Sequence, residues 1–465
     1  MQSNRGAEKF VHEGFIYIFD KASKRDEKKF WRCEQKDRCK ARLHTLDGLV
    51  VNTLNDHSHD SDPAKQVIRA AVSTIKRRAE ESLEETSRVI NEGLKDIPQC
   101  VLGVMPTQES LKKTVRRLRK QNAQAPAAPQ SLEALIIPER YSLYVSSPDV
   151  TERFLLHDTG PGNDRILMFG RQSNITLLGG SPTWFIDGTF SIAPPLFDQV
   201  FVVLAEHLGG VHPLFYFLLP NKRQQTYMKV FSIIKNLDRV INPSVIHCDF
   251  EKAVINAIRR NFPSAAVGGC LFHLVQNMRK HVGQLGLTAR YNNEPEFALN
   301  AKMVTALSFV PPSDIEMAVE RLGEHLPEAL QPLLSWFEDT YVGKPGRRGA
   351  ARQRPLFSDD VWSVHQRTLD GGHRTNNHAE AAHRRLQSEL GMQHPTLWRF
   401  IDSLRKIQKG RDAFYEALIA GRRAPEKLKK FRMADERISH LLEDYSNRST
   451  LDFLKGIAYN YQMSN

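Results

Sequence analysis

The hydrophobic pattern changes period along the chain, and each change marks a different kind of structure. Between residues 10 and 60 apolar and polar residues alternate in short runs, and 15–19, 30–33 and 48–52 read as strands. From Pro63 to about residue 95 the apolar residues Val67, Ile68, Ala71, Ile75 and Leu83 recur at helical spacing. Ile97 and Pro98 break that pattern, and residues 106–110 open another helix that runs through 111–120. Residues 121–130, rich in Ala, Pro and Gln, have the composition of a linker.

Beyond Ile136 strand and helix signals mix. Residues 184–190, 200–206 and 214–219 predict three strands joined as hairpins. An amphipathic helix at 224–237 is followed by a strand at 245–249, a helix at 250–262, and a short strand running into a helix at 265–273. Three hairpin strands, then helix, strand and helix, is the order of an RNase H-like core. Residues 295–345 predict a helical insertion, 345–354 a basic loop, and helices return from about 377 to 461. The predicted fold class is multidomain α/β. A small β-rich module at 8–62 and a helical region at 63–121 precede a linker at 122–135. The first part of an RNase H-like core occupies 136–283, a helical insertion 284–372, the last core helix 373–400, and C-terminal helices 401–465.

Composition narrows the function. Hydrophobic residues make up 41% and charged residues 25% of 465, ordinary for a folded soluble protein. No apolar stretch reaches the roughly 18 residues that span a membrane. The first residues lack the apolar centre of a signal peptide, so an intracellular protein is expected. Five cysteines, an odd number, argue against a disulfide framework. A formal charge of +12 and a pI near 9.4 fit a polyanionic partner, although a merely soluble basic protein has the same balance.

Two clusters carry chemistry in the N-terminal part. Cys33 and Cys39 are separated by five residues, and His57 and His59 follow after seventeen more. Four such ligands close a tetrahedral Zn²⁺ site, and a β-rich piece of this size has little core of its own to fold on. The plain alternative is incidental cysteines beside a polar turn. The helix at 111–120 carries Lys112, Lys113, Arg116, Arg117, Arg119 and Lys120 and no acid, while Leu111, Val115 and Leu118 fall on one face. With the helix before it, this has the order of a helix-turn-helix reader of double-stranded DNA. A solvated charged helix or a nuclear-import signal has the same composition.

Three acids stand in distinct contexts. Asp187 lies in an aromatic strand, Asp249 at the end of another, and Glu380 opens a helix. Each has a local explanation: a turn residue, an N-cap, and a capping box with Asn377 or an i, i+4 pair with Arg384. Brought together at one end of a sheet they would repel one another, and two divalent cations are the usual remedy.

Around these residues the chain resembles known families. Phe15, Tyr17, Trp31, Cys33, Cys39, Arg42 and the pair His57 and His59 resemble a FLYWCH zinc finger, which implies Zn²⁺ on the two cysteines and two histidines and binding of DNA or protein. Residues from about 180 to 390 resemble a Mutator-like element (MULE) transposase domain. The matching residues are Asp187 to Phe190, the hydrophobic strands between 200 and 220, Cys248 to Ala253, Gly269 to His273, and Asn376 to Glu380 with His383. That resemblance implies a DDE transposase, in which Asp187, Asp249 and Glu380 hold two Mg²⁺ or Mn²⁺ ions, nick terminal inverted repeats and join 3′-ends to target DNA. It gives Cys270, His273, Asn376, Asn377 and His383 auxiliary roles beside the acids. It implies a nuclear protein acting as a homodimer or larger assembly. A domesticated, non-cleaving DNA-binding regulator is the alternative, and a zinc-finger adaptor for proteins a third reading.

Overall fold

The structure, a computed structural model, describes residues 8–23, 28–81, 84–122, 126, 129–344, 346 and 352–461. Leu83, half of the 121–130 linker, much of the 345–354 loop and the side chain of Lys120 lie outside the described residues. The chain divides into two compact units, Met1–Pro126 and Ala127–Asn465.

The first unit opens with an antiparallel five-stranded meander in the order β1-β2-β3-β4-β5. Its strands are β1 (Lys9–His12), β2 (Phe15–Ala22), β3 (Lys29–Cys33), β4 (Arg42–Leu46) and β5 (Leu49–Leu54). β1 and β4, which the pattern of apolar residues does not mark, complete the sheet. The core is small: Tyr17, Trp31 and Leu43 pack together, and the Trp31 indole donates to Thr45 Oγ1 at 2.9 Å.

The helices of this unit are α1 (Pro63–Glu81), α2 (Thr86–Leu94), α3 (Gln99–Leu102) and α4 (Gln108–Asn122). The single helix expected from 63 to about 95 is two, α1 and α2. They fold back so that Val89 and Ile90 join Ile75, Ala79, Leu111 and Val115 in one buried cluster. Gly93 permits that approach, since a Cβ there would stand 2.2 Å from Ile75 Cγ1. Glu34, beside Cys33, pairs with Lys9, Lys65 and Arg69 and so ties α1 to the sheet. Burial would raise its pKa, but these cations outweigh burial and hold it down to about 2.

The second unit begins with α5 (Glu139–Ser142) and the hairpin β6 (Leu143–Ser147) and β7 (Val150–Arg153). Next come β8 (Leu155–Asp158), β9 (Leu167–Phe169), α6 (Ser173–Gly179), β10 (Thr183–Thr189), β11 (Gln199–His207) and β12 (Gly210–Leu219). They continue into α7 (Gln224–Lys235), β13 (Val245–Cys248), α8 (Lys252–Asn261), β14 (Ala266–Gly269) and α9 (Leu271–Gln284). The sheet order is β14-β13-β10-β11-β12-β9-β8, with β14, β13 and β10 parallel and the remaining neighbours antiparallel. The short strands β8, at the edge, and β9, beside it, are an addition to the five strands that the sequence predicts.

The helical run that follows holds α10 (Thr288–Asn293), α11 (Pro295–Ala306), α12 (Ile315–His325), α13 (Gln331–Phe337), α14 (Asp359–Trp362) and α15 (His365–Leu369). The chain ends in α16 (Asn377–Leu390), α17 (Leu397–Ile419), α18 (Lys429–Glu443) and α19 (Thr450–Tyr459). The inserted helices are not a separate lobe. Phe297, Leu322 and Phe337 belong to the same buried cluster as Phe453 and Leu454 of α19 and as Trp184 and Ile186 of the sheet. Tyr445 Oη donates to Asp314 Oδ2 at 3.0 Å across that packing.

Strand alternation sorts the sheet into two faces. Trp184, Ile186, Phe201 and Val203 face α7, α8 and the inserted helices. Phe185, Val200, Val202 and Tyr216 face α16 and α17. Asp187 is next in the alternation after Phe185 and therefore belongs to the α16 face.

Candidate metal centre and acidic cluster

In the N-terminal module the four expected zinc ligands converge. Cys33 ends β3, Cys39 lies before β4, and His57 and His59 follow β5. Their ligand atoms all lie within 4.8 Å of one another. Cys33 Sγ is 3.2 Å from His59 Nε2, and Cys39 Sγ is 3.4 Å from His57 Nδ1. The other ring nitrogens are engaged, His57 Nε2 at 2.8 Å from Tyr17 Oη and His59 Nδ1 at 2.9 Å from the Asp60 carbonyl oxygen. N–H groups donated to those oxygens leave the metal-facing nitrogens with free lone pairs, the tautomers that a cation needs. Phe15 stacks on the His57 ring at 3.6 Å and shields it.

Burial pushes the Cys33 thiol up to about 11. For Cys39 the backbone N–H groups of Ala41 and Ser58 outweigh burial and bring it down to about 7. Two sulfurs this close do not both become thiolates without a cation between them. Donor types, spacing and tautomers all fit Zn²⁺.

In the second unit the register of two parallel strands makes the acidic site. β10 and β13 pair Phe185 with His247, and those two rings stack at 4.9 Å. Two residues further along each strand come Asp187 and Asp249, so the carboxylates meet at the carboxyl ends of neighbouring strands. Such ends are where open α/β sheets bind ligands.

Glu380 enters from the first turn of α16. Asn376, fully buried, fixes the start of that helix. Its side-chain amide donates to the Ile186 carbonyl at 2.8 Å, and its backbone N–H donates to Cys270 Sγ at 3.1 Å. Two histidines pair with the aspartates: His273 Nδ1 lies 2.7 Å from Asp249 Oδ1, and His383 Nδ1 lies 3.2 Å from Asp187 Oδ2. Asn377 is exposed on the first turn of α16.

Desolvation raises the pKa of Asp249 and of Glu380, and the neighbouring acids raise both further. Burial would lower His273, but Asp249 outweighs it and raises this imidazole to about 11. Glu380 Oε1 is buried with no hydrogen-bond partner among the described residues. An orphaned carboxylate oxygen beside two mutually repelling aspartates fits a site for divalent cations.

The sequence reading passed over Glu251, which desolvation also raises. Its carboxylate lies 3.2 Å from Tyr227 Oη, which in turn donates to Gln199 Oε1 at 3.0 Å. Asp187, Asp249, Glu251 and Gln199 line one cavity of about 80 Å³. Gly188 leaves room for this layer, because a Cβ there would stand 1.6 Å from Gln199 Nε2. A third acid two residues past Asp249 was the available signal. Arg367 left no such signal. It is half-buried beside β14, donates to the carbonyls of Gly269 and Ser363, and is pulled down to about 10 by desolvation.

Residues 1–59 match the model of the FLYWCH zinc finger domain, and residues 183–277 match that of the MULE transposase domain. The chain's first segment is thus similar to a FLYWCH zinc finger and the later one to a MULE transposase domain. The finger is similar to two Caenorhabditis elegans proteins. FLYWCH transcription factor 1 is 40% identical over 63 residues, which is 13% of this chain and 12% of that protein. FLYWCH transcription factor 2 is 37% identical over 62 residues, 13% of each chain. The chain thus spans about an eighth of the length of these relatives. The matched MULE segment holds Asp187, Asp249, Glu251, Cys270 and His273 and stops before Asn376, Glu380 and His383, whose place at the site is read from geometry alone.

Between the FLYWCH finger and the MULE domain runs α4. Leu111 and Val115 are buried, whereas Lys113, Arg116 and Arg117 are exposed and Lys112 is half-buried. Arg119 differs from the others, because its guanidinium donates to the carbonyls of Ala79 and Glu84 and clamps α4 to the end of α1. Exchanging Lys113, Arg116 and Arg117 for glutamine is therefore expected to lower the slope of log affinity for duplex DNA against log salt by up to about 3, near 0.9 per released phosphate contact. Fluorescence anisotropy from 50 to 300 mM salt measures it, and an unchanged slope removes α4 from the DNA interface.

Proposed function

We propose that the chain is a metal-dependent DDE-type DNA transposase, an endonuclease and strand-transferase. Its FLYWCH finger and α4 bind double-stranded DNA at terminal inverted repeats, and its MULE domain cuts the ends and transfers them to target DNA. The observation that supports this is the β10–β13 register, which pairs Phe185 with His247 and so leads to Asp187 and Asp249 on neighbouring strand ends, with Glu380 near enough to feel both charges. The sheet order supports an RNase H-like core, with three antiparallel strands followed by two parallel ones. The helical insertion then lies between α9 and the helix that supplies the last acid.

In this reading Asp187, Asp249 and Glu380 hold a pair of Mg²⁺ or Mn²⁺ ions. When bound, these ions supply an activated water or 3′-hydroxyl and neutralise charge on the leaving oxygen. The protein's own groups position the acids. His273 and His383 orient the two aspartates, the role expected of outer residues around a metal. Cys270 acts through Asn376, since its sulfur receives the N–H that starts α16. Glu251, with Tyr227 and Gln199, braces the floor of the cavity. Zn²⁺ on Cys33, Cys39, His57 and His59 folds the finger. Such a protein works in the nucleus as a homodimer or larger assembly, because two ends must be brought together.

The test is to incubate the full chain with duplexes bearing the inverted repeats that flank its gene. Mg²⁺-dependent nicks at the repeat boundary, and joined products with a plasmid target, are the expected result. The second reading is a DNA-binding regulator that no longer cuts. It is favoured by the similarity of the finger to two proteins named as transcription factors. Tight repeat binding with no Mg²⁺- or Mn²⁺-dependent cleavage decides for that reading.

A further inference from the structure

We propose that residues 422–432, between α17 and the first turn of α18, form a further DNA-contact surface that takes the phosphate backbone of the duplex next to the acidic cluster. The assignment rests on the transposase reading for its purpose, and its test does not depend on cleavage. The segment carries Arg422, Arg423, Lys427, Lys429, Lys430 and Arg432 against one acid, Glu426. All of these cations are exposed. Arg432 pairs with Glu426, and Lys427 with Asp435 at 3.1 Å. Arg422, Arg423 and Lys429 have no ion-pair partner among the described residues. Lys430 lies over the exposed ring of Phe431 at 4.8 Å. This density of unpaired cations is not needed to hold the fold, and charge of this sign is complementary to phosphate.

Placement makes the patch specific. Asp435, which holds Lys427, also pairs with Arg374. The Arg374 carbonyl accepts the Leu271 N–H at 2.9 Å at the start of α9, two residues before His273. The basic segment is thus docked on the turn that leads into α16, at the same end of the sheet as the acids. A cluster of carboxylates repels the substrate it must cut, and a cationic shelf at its side offsets that repulsion along the adjoining backbone.

The experiment uses the full chain without divalent metal, so that only binding is read. Its starting point is the Lys113→Gln, Arg116→Gln, Arg117→Gln protein, which isolates the contribution of the second unit. Adding Arg422→Gln, Arg423→Gln, Lys429→Gln and Lys430→Gln is expected to lower the log–log salt slope by about 3 more, at up to 0.9 per cation, and to weaken binding more than about tenfold near 150 mM salt. Arg422→Lys with Arg423→Lys should retain most of the slope, because the charges remain. An unchanged slope in the quadruple variant, with an unchanged melting temperature, overturns the proposal. So does a variant that loses self-association while its salt slope stays the same, which would assign the patch to a second copy of the chain. If the slope falls but the wild type never cuts DNA, the surface stands and the transposase reading fails.

Discussion

Asp249→Asn should reduce Mg²⁺-dependent cleavage by roughly 10³-fold or more, a loss of about 4 kcal/mol of transition-state stabilisation. The same variant should fold as well as the wild type. Asparagine has nearly the shape of aspartate, and without metal the Asp249 charge is a burden: desolvation and the adjoining Asp187 both raise its pKa. Removing that charge relieves repulsion, while His273 loses its partner, and the two effects oppose each other. A second readout follows from mass action. A cation bound only by the folded wild type raises its melting temperature, by about 2.7 kcal/mol of stabilisation at a hundred times its dissociation constant. The variant should show little of that Mg²⁺ or Mn²⁺ response. DNA affinity in the absence of metal should change little. Undiminished cleavage in Asp249→Asn would remove this residue from the chemistry, and an equal metal-induced shift in both proteins would put the cations elsewhere.

Cys33→Ser should unfold the FLYWCH module. Among its described residues the sheet buries, besides Ile16, only Tyr17, Trp31 and Leu43 in one apolar cluster and Cys33, Cys39 and Ala41 in another. That is too little apolar area to hold some 50 residues by itself. A structural Zn²⁺ provides on the order of 10 kcal/mol in small zinc modules at neutral pH, more than the whole stability of such a domain. Serine is a far poorer zinc ligand than a thiolate, so metal and fold should be lost together. Elemental analysis should show one zinc less per chain, and limited proteolysis should remove the first 60 or so residues while sparing the second unit. Specific repeat binding should fall with it. Full zinc content in Cys33→Ser would refute the ligand set.

Where the apolar pattern had a strong period, sequence and structure agree closely. The run from 184 to 219 is β10, β11 and β12, and the strand–helix–strand–helix run from 245 is β13, α8, β14 and α9. These are buried on both faces or amphipathic, so their hydrophobicity alone marks them. The elements missed are those without such a signal. β9 is three residues long, and β4 reads Arg-Leu-His-Thr-Leu with an exposed arginine and a half-buried histidine. The division between α1 and α2 is set by packing of Gly93 on Ile75, which no local preference records.

At the site, residue types were legible and their bonds were not. Asp187, Asp249 and Glu380 could be picked out as acids in unusual places. That Cys270 receives the Asn376 N–H, or that His383 turns to Asp187, depends on contacts between segments far apart in the chain. Arg119 shows the converse, because composition groups it with the other cations of α4 while its position makes it a clamp.

The Cys270–Asn376 hydrogen bond spans 106 residues, and the Asn376–Ile186 bond spans 190. Synthesis proceeds from the N-terminus, so the finger, α4 and both aspartates emerge from the ribosome well before α16 can dock. A chain that ends before α16 therefore carries the finger and both aspartates but lacks Glu380. Under the transposase reading the acidic site is completed only once the inserted helices have been made and folded, so its assembly is a late event in the folding of the chain.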